Sequence, residues 1–314
     1  MDQKLNNEIA QVVPSPPRVL VVDDDIHFLK LVQRVLQKHG ITVVTGRSAD
    51  EAREEIAKQK PELIISDMMM PGMKGDEFCR ELQADNETAD IPFIFVSAVR
   101  DPETRIQSFD AGAIDYLVKP VFMDELAAKV LAMVRKSRTT RIIMLTDALT
   151  GAKNRWYFEE ELPRLILQAK RGDWPLTLVV VDINDFKQLN DKHSHSFGDQ
   201  VLSIVSTTLK RAFRTSDVVI RYGGDEFVIA LPETGLRESL IPIQRLFKLF
   251  STFFCVDDAG VEVPVRISAG VAAFPQHGGD LEEVFNAADQ ALYKVKKEKT
   301  NGFAYAGEDN VRSF

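Results

Sequence analysis

The chain has 314 residues, which at roughly 150 residues per domain predicts two domains. Hydrophobic residues make up 45% of the chain and charged residues 27%, a composition that excludes a wholly disordered or collagen-like protein. The formal net charge of −8 argues against non-specific binding of nucleic acid. We therefore expect any bound phosphate to be held by metal ions and a few placed cations.

The chain carries no strong signal for secretion or for membrane insertion. Apolar runs such as Leu176–Val181 are far shorter than the roughly 20 residues that a membrane span needs. The polar, proline-rich residues 1–17 lack the apolar core of a signal peptide, and we interpret them as a flexible lead-in. Cys79 and Cys255 are the only cysteines, too few for a disulfide scaffold or a zinc site. We expect a cytoplasmic protein without membrane insertion.

Residues 18–135 alternate between short apolar runs and helical patterns. Runs this short and apolar fit strands that are buried in a parallel sheet. Five strand–helix units in this length predict a doubly wound α/β fold with a five-stranded parallel sheet. The predicted strands are Arg18–Val22, Val43–Thr45, Leu63–Ser66, Ile91–Val96 and Asp115–Val118. The predicted helices are Phe28–Lys38, Ala49–Lys58, Asp76–Ala84, Pro102–Phe109 and a long one from Met123 to about Leu145.

The long helix has an apolar stripe that fades along its length. The stripe comprises Leu126, Val130 and Met133, followed in register by Ser137, Thr140 and Met144. One interpretation is an edge helix that leads into a solvated helical linker over residues 136–146. The other is a short stalk that pairs with its copy in a dimer, and the polar middle of the segment argues against a strong zipper.

Residues 147–314 alternate less regularly and form the second predicted domain. A glycine pair, Gly223–Gly224, lies between two apolar segments, which is a strong hairpin signal. We predict an α+β fold with a mixed sheet that contains an antiparallel hairpin. The predicted strands are Leu176–Ile183, Val218–Tyr222, Phe227–Leu231 and Arg266–Ala273. The predicted helices are Trp156–Lys170, Gln200–Phe213, Leu236–Phe254 and Leu281–Lys297.

Polar side chains follow the predicted strands of the first domain, where ligands gather in an open α/β sheet. These side chains are Asp23, Asp24, Asp67, Ser97 and Lys119. Hard oxygen ligands at this density suit Mg²⁺, and a metal ion beside Asp67 favours phosphoryl transfer onto its carboxylate. Ser97 and Lys119 would then hold the phosphate oxygens.

The order Asp-Asp, Asp, Ser, Lys-Pro resembles the response-regulator receiver domain over about residues 18–135. The resemblance implies a flavodoxin-like fold in which Asp67 accepts phosphate from a histidine kinase. It implies one bound Mg²⁺ (or Mn²⁺) held by Asp24, Asp67 and the Met69 carbonyl, with Asp23 in support. Tyr116 stands where this family has a rotating aromatic switch.

The segment Arg221–Phe227 reads RYGGDEF and places two acids directly after the glycine pair. Glycines permit positive φ and remove side-chain bulk, so that a phosphate or sugar can approach the backbone. Asp225 and Glu226 would point to opposite faces of a regular strand, which suggests different roles. Asp182 ends an apolar strand and is costly to bury unless it is paired or metal-bound. Together these acids predict a site for one or two Mg²⁺ ions that hold a triphosphate.

Six segments of the second domain together resemble the GGDEF family of diguanylate cyclases across about residues 146–306. They are Asp147–Arg155, Asp182–Asp191, His195–Leu202, Gly223–Phe227, Ser268–Ala272 and Ala288–Lys296. The resemblance implies a nucleotide cyclase-like fold and condensation of two GTP into cyclic di-GMP with release of pyrophosphate. Each GGDEF domain binds one GTP, so catalysis requires a two-fold homodimer.

The resemblance also implies roles for individual residues. The metal ligands, for about two ions per site, are Asp182, the Ile183 carbonyl, Asp225 and Glu226. The catalytic residues are Glu226, Asp225 and Lys187, and the residues that bind substrate are Phe186, Asn190, Asp199, Gly223, Gly224 and Lys296. Asn190 and Asp199 would bind guanine, because a carboxylate accepts from its N1–H and amino group. Which of Asp225 and Glu226 takes the proton stays open.

Two further features bear on regulation and on phosphate binding. Arg214 and Asp217 form an RxxD pair, which in this family is the primary inhibitory site for cyclic di-GMP, and Arg245 lies where a secondary contact to this product is often found. The family often has an arginine where this chain has Thr300. Lys297 or Lys299 would have to replace that cation.

We interpret the chain as a phosphorylation-activated diguanylate cyclase with product feedback inhibition. One alternative is a catalytically degenerate response regulator that only senses GTP or cyclic di-GMP. A DNA-binding response regulator would need a basic recognition helix, which we do not find in the sequence. A cyclase with altered base choice is a third alternative, against which Asn190 and Asp199 argue.

Overall fold

The computed structural model describes residues 16–298, 300–308 and 310–314. The chain divides into two compact units, with the boundary between Ile142 and Ile143. A lead-in was predicted over residues 1–17, and residues 1–15 of it lie outside the described residues. Within the described part of the chain, no helix is both long and apolar enough to cross a membrane.

The first unit is a five-stranded parallel sheet with strand order β2-β1-β3-β4-β5. Its strands are β1 (Arg18–Val22), β2 (Thr42–Gly46), β3 (Leu63–Ser66), β4 (Phe93–Ser97) and β5 (Asp115–Val118). Its helices are α1 (Ile26–Gln37), α2 (Ala49–Lys58), α3 (Gly75–Ala84), α4 (Pro102–Asp110) and α5 (Met123–Met144). The predicted doubly wound α/β fold is confirmed.

Both faces of this sheet are covered, which is why consecutive residues of its central strands are apolar, as in Val19–Val22, Leu63–Ile65 and Phe93–Val96. In β1, Val19 and Val21 pack against residues of α1 and α5, whereas Leu20 and Val22 pack against residues of α2 and α3. A parallel register aligns Val22 with Ser66 of β3. The residues that follow these two strands, both aspartates, therefore lie at the same edge of the sheet.

Helix α5 contacts the core of this unit through a stripe that includes the predicted Leu126 and Val130 but continues along other residues. Its buried residues are Leu126, Ala127, Val130, Val134 and Arg138, whereas Met133 is only partly buried. Arg138 donates through Nε and Nη2 to the two carboxylate oxygens of Glu62, at 2.6 Å each. This paired geometry holds the polar part of α5 against the residue that precedes β3.

The second unit is a mixed six-stranded sheet with strand order β13-β12-β11-β6-β8-β7, together with the hairpin β9–β10. Its strands are β6 (Leu176–Ile183), β7 (Val218–Arg221), β8 (Glu226–Pro232), β9 (Phe254–Val256), β10 (Glu262–Pro264), β11 (Ile267–Phe274), β12 (Gly302–Tyr305) and β13 (Arg312–Ser313). Its helices are α6 (Arg155–Glu160), α7 (Leu162–Gly172), α8 (Phe186–Lys192), α9 (His195–Ala212), α10 (Leu236–Phe250) and α11 (Leu281–Glu298). The predicted α+β mixed sheet is confirmed.

The structure corrects two predicted helices of this unit. The single helix predicted over Trp156–Lys170 is two helices, α6 and α7, and Pro163 lies in the first turn of α7, where a missing backbone N–H costs little. The helix predicted over Leu236–Phe254 ends at Phe250, and Phe254–Val256 is instead strand β9. Helix α8 and strands β9, β10, β12 and β13 were not predicted.

Strands β6 and β11 form the buried centre of this sheet and carry the site residues at one end. All eight residues of each strand are buried. A Cβ on Gly270 of β11 would lie 1.9 Å from the Ala288 carbonyl oxygen of α11, so only glycine permits this close approach of helix and strand. Helix α11 and its C-terminal lysines are thereby fixed over the sheet.

Candidate functional sites

Three carboxylates and a lysine meet at the carboxyl edge of the first sheet. Oxygen atoms of Asp23, Asp24 and Asp67 all lie within 4.8 Å of one another. Lys119 Nζ donates to Asp23 Oδ2 at 2.6 Å and to Asp67 Oδ2 at 2.8 Å. The first and last of the three aspartates are 1% and 8% exposed, whereas Asp24 is exposed. The predicted acidic pocket is thus present as one cluster.

The charges in this cluster are only partly compensated. Burial raises the pKa of Asp23, although the hydrogen bond from Lys119 acts in the opposite direction. Burial acts to lower the pKa of Lys119, but its hydrogen bonds to Asp23 and Asp67 outweigh burial and raise it. Three carboxylates against one ammonium leave an excess of negative charge, and the donors are all hard oxygens. This donor set fits Mg²⁺.

The other predicted residues of the first unit surround this cluster. Ser97 is buried at the end of β4, and its Oγ accepts from the Val99 N–H at 3.4 Å. Tyr116 is also buried, and its hydroxyl donates to the Val99 carbonyl at 2.7 Å. The Met69 N–H donates to Asp67 Oδ1 at 3.2 Å. The tyrosine thus lies in the inward position, and it is bonded to the loop that follows the serine.

In the second unit, acidic residues meet at one end of the central strands. Asp182 of β6 stands opposite Glu226 of β8 and Ser268 of β11 in the antiparallel register. The Ile183 N–H donates to the Asp225 carbonyl at 3.3 Å. The predicted metal ligands of this unit are therefore adjacent in the sheet.

Asp182 carries the strongest sign of an uncompensated charge in this site. Burial raises its pKa to about 6, and the charges of Asp225 and Glu226 act in the same direction. Lys296 opposes them with Nζ 2.7 Å from Asp182 Oδ2. A cation bound beside these oxygen atoms would offset the remaining cost of burying the Asp182 charge, and hard oxygen ligands of this kind fit Mg²⁺.

The two acidic clusters differ in compactness. Of the residues described, only Asp23, Asp24 and Asp67 bring three ligand atoms within 4.8 Å of one another. Asp182, Asp225 and Glu226 do not bring their oxygen atoms this close together. A metal ion bound by these three acids would therefore need a rearrangement of their side chains or a further oxygen ligand.

The glycine turn differs from the prediction in its backbone. Neither Gly223 nor Gly224 has a φ in the left-handed region, so positive φ is not the reason for glycine here. A Cβ on Gly224 would meet open space, and one on Gly223 would lie 3.1 Å from Glu226 Oε2. Asp225 lies in the turn and Glu226 begins β8, so strand alternation does not separate the two acids as predicted. What matters is the lack of side-chain bulk.

An arginine and an aspartate that were not predicted as site residues hold this turn. Arg221 donates to the Gly224 carbonyl from Nη2 at 2.9 Å and from Nε at 3.3 Å. Its Nη1 lies 3.1 Å and 3.3 Å from the two carboxylate oxygens of Asp147. Both residues stand inside recognisable segments of the sequence, but their pairing across 74 positions is visible only in the fold.

The predicted guanine and phosphate ligands lie on α8 and α9. Asn190 Oδ1 is buried and accepts no hydrogen bond, and it packs so closely on Gly198 that a Cβ there would lie 1.8 Å away. Lys187 and Asp199 are exposed, and Phe186 is partly buried against the core. A buried amide oxygen without a hydrogen bond costs free energy. A ligand that donates to Asn190 Oδ1 would remove this cost.

Thr300, which stands where the family often has an arginine, is held in place through its backbone carbonyl. The Thr300 carbonyl accepts from Asn184 Nδ2 and from Ser268 Oγ, at 3.2 Å each. Lys297 Nζ lies 4.4 Å from the ring centroid of Tyr293, and Lys299 lies outside the described residues. Lys297 is therefore engaged with an aromatic ring rather than with the acids.

The three residues predicted to form an inhibitory site line one cavity. Arg214, Asp217 and Arg245 surround a volume of about 280 Å³. Asp217 Oδ2 accepts from the Arg214 N–H at 2.7 Å, and Arg245 Nη2 donates to the Ala212 carbonyl. Burial raises the pKa of Asp217. The geometry thus brings two arginines and a carboxylate to one concave surface.

Both units match known protein families. Residues 144–302 match the GGDEF domain of diguanylate cyclases, and residues 19–131 match the response regulator receiver domain. The chain belongs to the GGDEF family, and its first unit is a response-regulator receiver domain.

Curated proteins are similar to this chain over all or part of its length. Response regulator PleD of Caulobacter vibrioides is 30% identical over 299 residues, which cover 90% of this chain and 64% of PleD. Diguanylate cyclase DgcP of Pseudomonas aeruginosa is 38% identical over 154 residues, which cover 49% of this chain and 22% of DgcP. The chain thus spans less than two thirds of the length of either relative.

Solved structures support the fold of the second unit. The coiled coil and GGDEF domain of DgcB from Caulobacter crescentus, in complex with c-di-GMP, has a TM-score of 0.53 at 28% identity and covers 59% of this chain and 97% of its own. Diguanylate cyclase SiaD from Pseudomonas aeruginosa, in complex with its activator SiaC, has a TM-score of 0.53 at 26% identity. The match covers 58% of this chain and 70% of the SiaD chain.

The receiver cluster yields a direct test of metal binding. We expect Asp24→Asn and Asp67→Asn each to weaken Mg²⁺ binding about tenfold or more, because each removes a charged oxygen donor. Isothermal titration calorimetry with MgCl₂ measures the affinity. Asp110→Asn, at an exposed position of the same unit, is the control. Equal affinity in all four proteins would exclude the cluster as the metal site.

Proposed function

We propose that the chain is a phosphorylation-activated diguanylate cyclase that condenses two GTP into cyclic di-GMP and two pyrophosphates, and that the product inhibits it. The observation that carries the proposal is the buried Asp182, with its pKa raised to about 6, beside Asp225 and Glu226 at a glycine turn. Membership of the GGDEF family and the names of the relatives support this reading, and a cytoplasmic location is part of it.

The residues of the second unit would bind one GTP per domain. Asn190 and Asp199 bind the guanine edge, since guanine offers donors at N1 and at its amino group. Phe186 packs beside them. Gly223 and Gly224 let the sugar and phosphates approach the backbone. Lys187 and Lys296 neutralise phosphate charge, and Lys296 leaves Asp182 in doing so.

The chemistry is two reciprocal transfers. Each 3′-hydroxyl oxygen forms a bond to the α-phosphorus of the other GTP, and the bond from that phosphorus to the bridging oxygen breaks to release pyrophosphate. Asp225 or Glu226 takes the hydroxyl proton. Asp182, the Ile183 carbonyl, Asp225 and Glu226 would hold about two Mg²⁺ (or Mn²⁺) ions, which would neutralise the phosphate charge.

A single GGDEF domain cannot complete this reaction, because it supplies only one GTP. Two copies must face each other about a two-fold axis, so that each domain presents its nucleotide to the other. The functional unit is therefore a homodimer.

The receiver unit would control this pairing. Asp67 accepts a phosphoryl group from a histidine kinase, Ser97 and Lys119 bind its oxygens, and Tyr116 changes its rotamer. Asp24, Asp67 and the Met69 carbonyl, with Asp23 in support, would hold one Mg²⁺ (or Mn²⁺) ion, which would neutralise charge there. Helix α5 leaves the receiver and carries the change to the cyclase domain.

Substitution of Glu226 tests the catalytic assignment. We expect Glu226→Gln to lower the rate of cyclic di-GMP synthesis about 10²- to 10⁴-fold, because an amide cannot take a proton or hold Mg²⁺ as a carboxylate does. Glu282→Gln, exposed on α11, should leave the rate unchanged. Chromatographic product analysis with GTP, and with mixed ATP and GTP, gives the measurement. A wild-type protein that binds GTP or cyclic di-GMP yet makes no product would be a sensor instead.

A phosphoryl mimic tests the switch. With GTP and Mg²⁺, we expect beryllofluoride to raise the initial rate of the wild-type protein several-fold, because it stabilises the phosphorylated arrangement of the receiver. Asp67→Asn should not respond and should keep the basal rate. Identical rates with and without beryllofluoride would remove phosphorylation control from the proposal and leave the cyclase activity in place.

The cavity at Arg214 and Asp217 yields a test of feedback. We expect Arg214→Ala to raise the inhibition constant for cyclic di-GMP about tenfold or more, since a charge-assisted contact is lost, while initial turnover stays near wild type. Arg211→Ala, exposed on the adjoining helix, is the control. Inhibition curves with added product give the constants, and an unchanged constant would place the inhibitory site elsewhere.

A further inference from the structure

Helix α8 carries two proposed substrate ligands but has few anchors of its own. None of its residues is buried, and only Phe186 and Leu189 pack partly against the core. Asp185, which precedes the helix, has a φ of 55° and makes no side-chain capping bond to it. Since Lys187 and Asn190 lie on this helix, contacts outside it must fix their positions.

One such set of contacts lies at the C-terminal end of the helix, at His193. Its N–H donates to the Leu189 carbonyl at 3.0 Å, and so closes the last turn. Its ring lies 5.1 Å from the ring of the buried Phe197. Its Nδ1 lies 3.0 Å from Asp257 Oδ2, and these two side chains are 12% and 13% exposed. Because an ionised carboxylate only accepts, Nδ1 is the donor.

Asp257 is a fixed acceptor because the turn of hairpin β9–β10 holds it. Its Oδ1 accepts from the N–H groups of Val261 at 2.8 Å and of Ala259 at 3.0 Å. These bonds lower the pKa of Asp257, and the bond from the Val261 N–H has the largest effect. The contact with His193 lowers this pKa further. The hairpin is anchored in the core by the buried Cys255. Oδ2 is thereby aimed at the imidazole from a rigid turn.

The position of Asn190 depends on the same junction. Its amide packs on Gly198, in the first turn of α9. Ser194 caps α9 by accepting from the Phe197 N–H at 3.1 Å. His193 and Ser194 are the two residues between these helices, so a shift of the His193 side chain would move the end of α8 relative to α9. The orphaned Asn190 oxygen would then lose its alignment.

We infer that His193 and Asp257 are positioning residues for GTP: their contact holds the C-terminal end of α8 on the β9–β10 hairpin, so that Asn190 faces the guanine. The inference rests on the proposed function for the identity of the ligand. The affinity for GTP would then depend also on the β9–β10 hairpin, which bears none of the predicted site residues. Neither residue takes part in the chemical step.

Variants on both sides of the contact test this inference. We expect His193→Phe, which keeps a ring against Phe197, and Asp257→Ala each to raise the KM for GTP about tenfold while kcat changes less than about twofold. His193→Asn keeps a donor near the position of Nδ1 and should recover most of the affinity. Asp258→Ala, exposed on the same turn, should match the wild type.

Two further measurements separate positioning from a loss of folding and from failure of the proposed function. Thermal unfolding shows whether each variant is folded, and equilibrium GTP binding by calorimetry gives the affinity without turnover. In the double variant, we expect the loss of affinity to be no larger than in either single variant, because both remove one contact. Additive losses, or folded single variants with wild-type GTP affinity, would overturn the inference. If Asn190→Ala weakens GTP binding while His193→Phe does not, the nucleotide site stands and only the positioning role falls.

Discussion

The energetic cost of buried carboxylates is the constraint on which both sites depend. Each unit places aspartates at the end of apolar strands and balances them with a single lysine, Lys119 in the first unit and Lys296 in the second. One ammonium does not neutralise the set, and the pKa values of Asp23 and Asp182 are raised mainly by burial. A bound divalent cation would complete the compensation, and a bound phosphate would compete with the carboxylates for the lysine. Binding of a metal ion and binding of a phosphate would then depend on the same charges.

Much of this arrangement was predictable because strand direction is a strong constraint. The carboxyl ends of parallel strands share one edge, so the positions of Asp23 and Asp67 after apolar runs were enough to bring them together. Strands β1, β3 and β5 were predicted with their observed bounds. In the second unit the recognised segments located Asp182 and Glu226, which the antiparallel register then placed opposite each other.

The remainder depended on signals that are absent from local sequence. Helix α8 has no buried residue and so no apolar stripe, and β9 and β10 have three residues each, too few for an alternation to show. The break between α6 and α7 was hidden because the apolar period continues across it. The roles of Lys296, Arg221 and Asp257 arise from partners far away in the chain, and the glycines of the turn act through their size rather than through φ.

The contacts of the glycine turn bear on how the proposed control reaches the acids. The last residue of α5 and the segment after it are bonded to the rest of the second unit: Asn154 Nδ2 donates to the Met144 carbonyl at 2.7 Å, and Asp147 pairs with Arg221. Arg221 in turn holds the Gly224 carbonyl, one residue before the first of the two acids. Arg221 thus links the segment that follows α5 to the glycine turn, through an ion pair with Asp147 and through bonds to the Gly224 carbonyl. Because charge-assisted bonds of this kind are directional, the proposed control would reach Asp225 and Glu226 through this arginine.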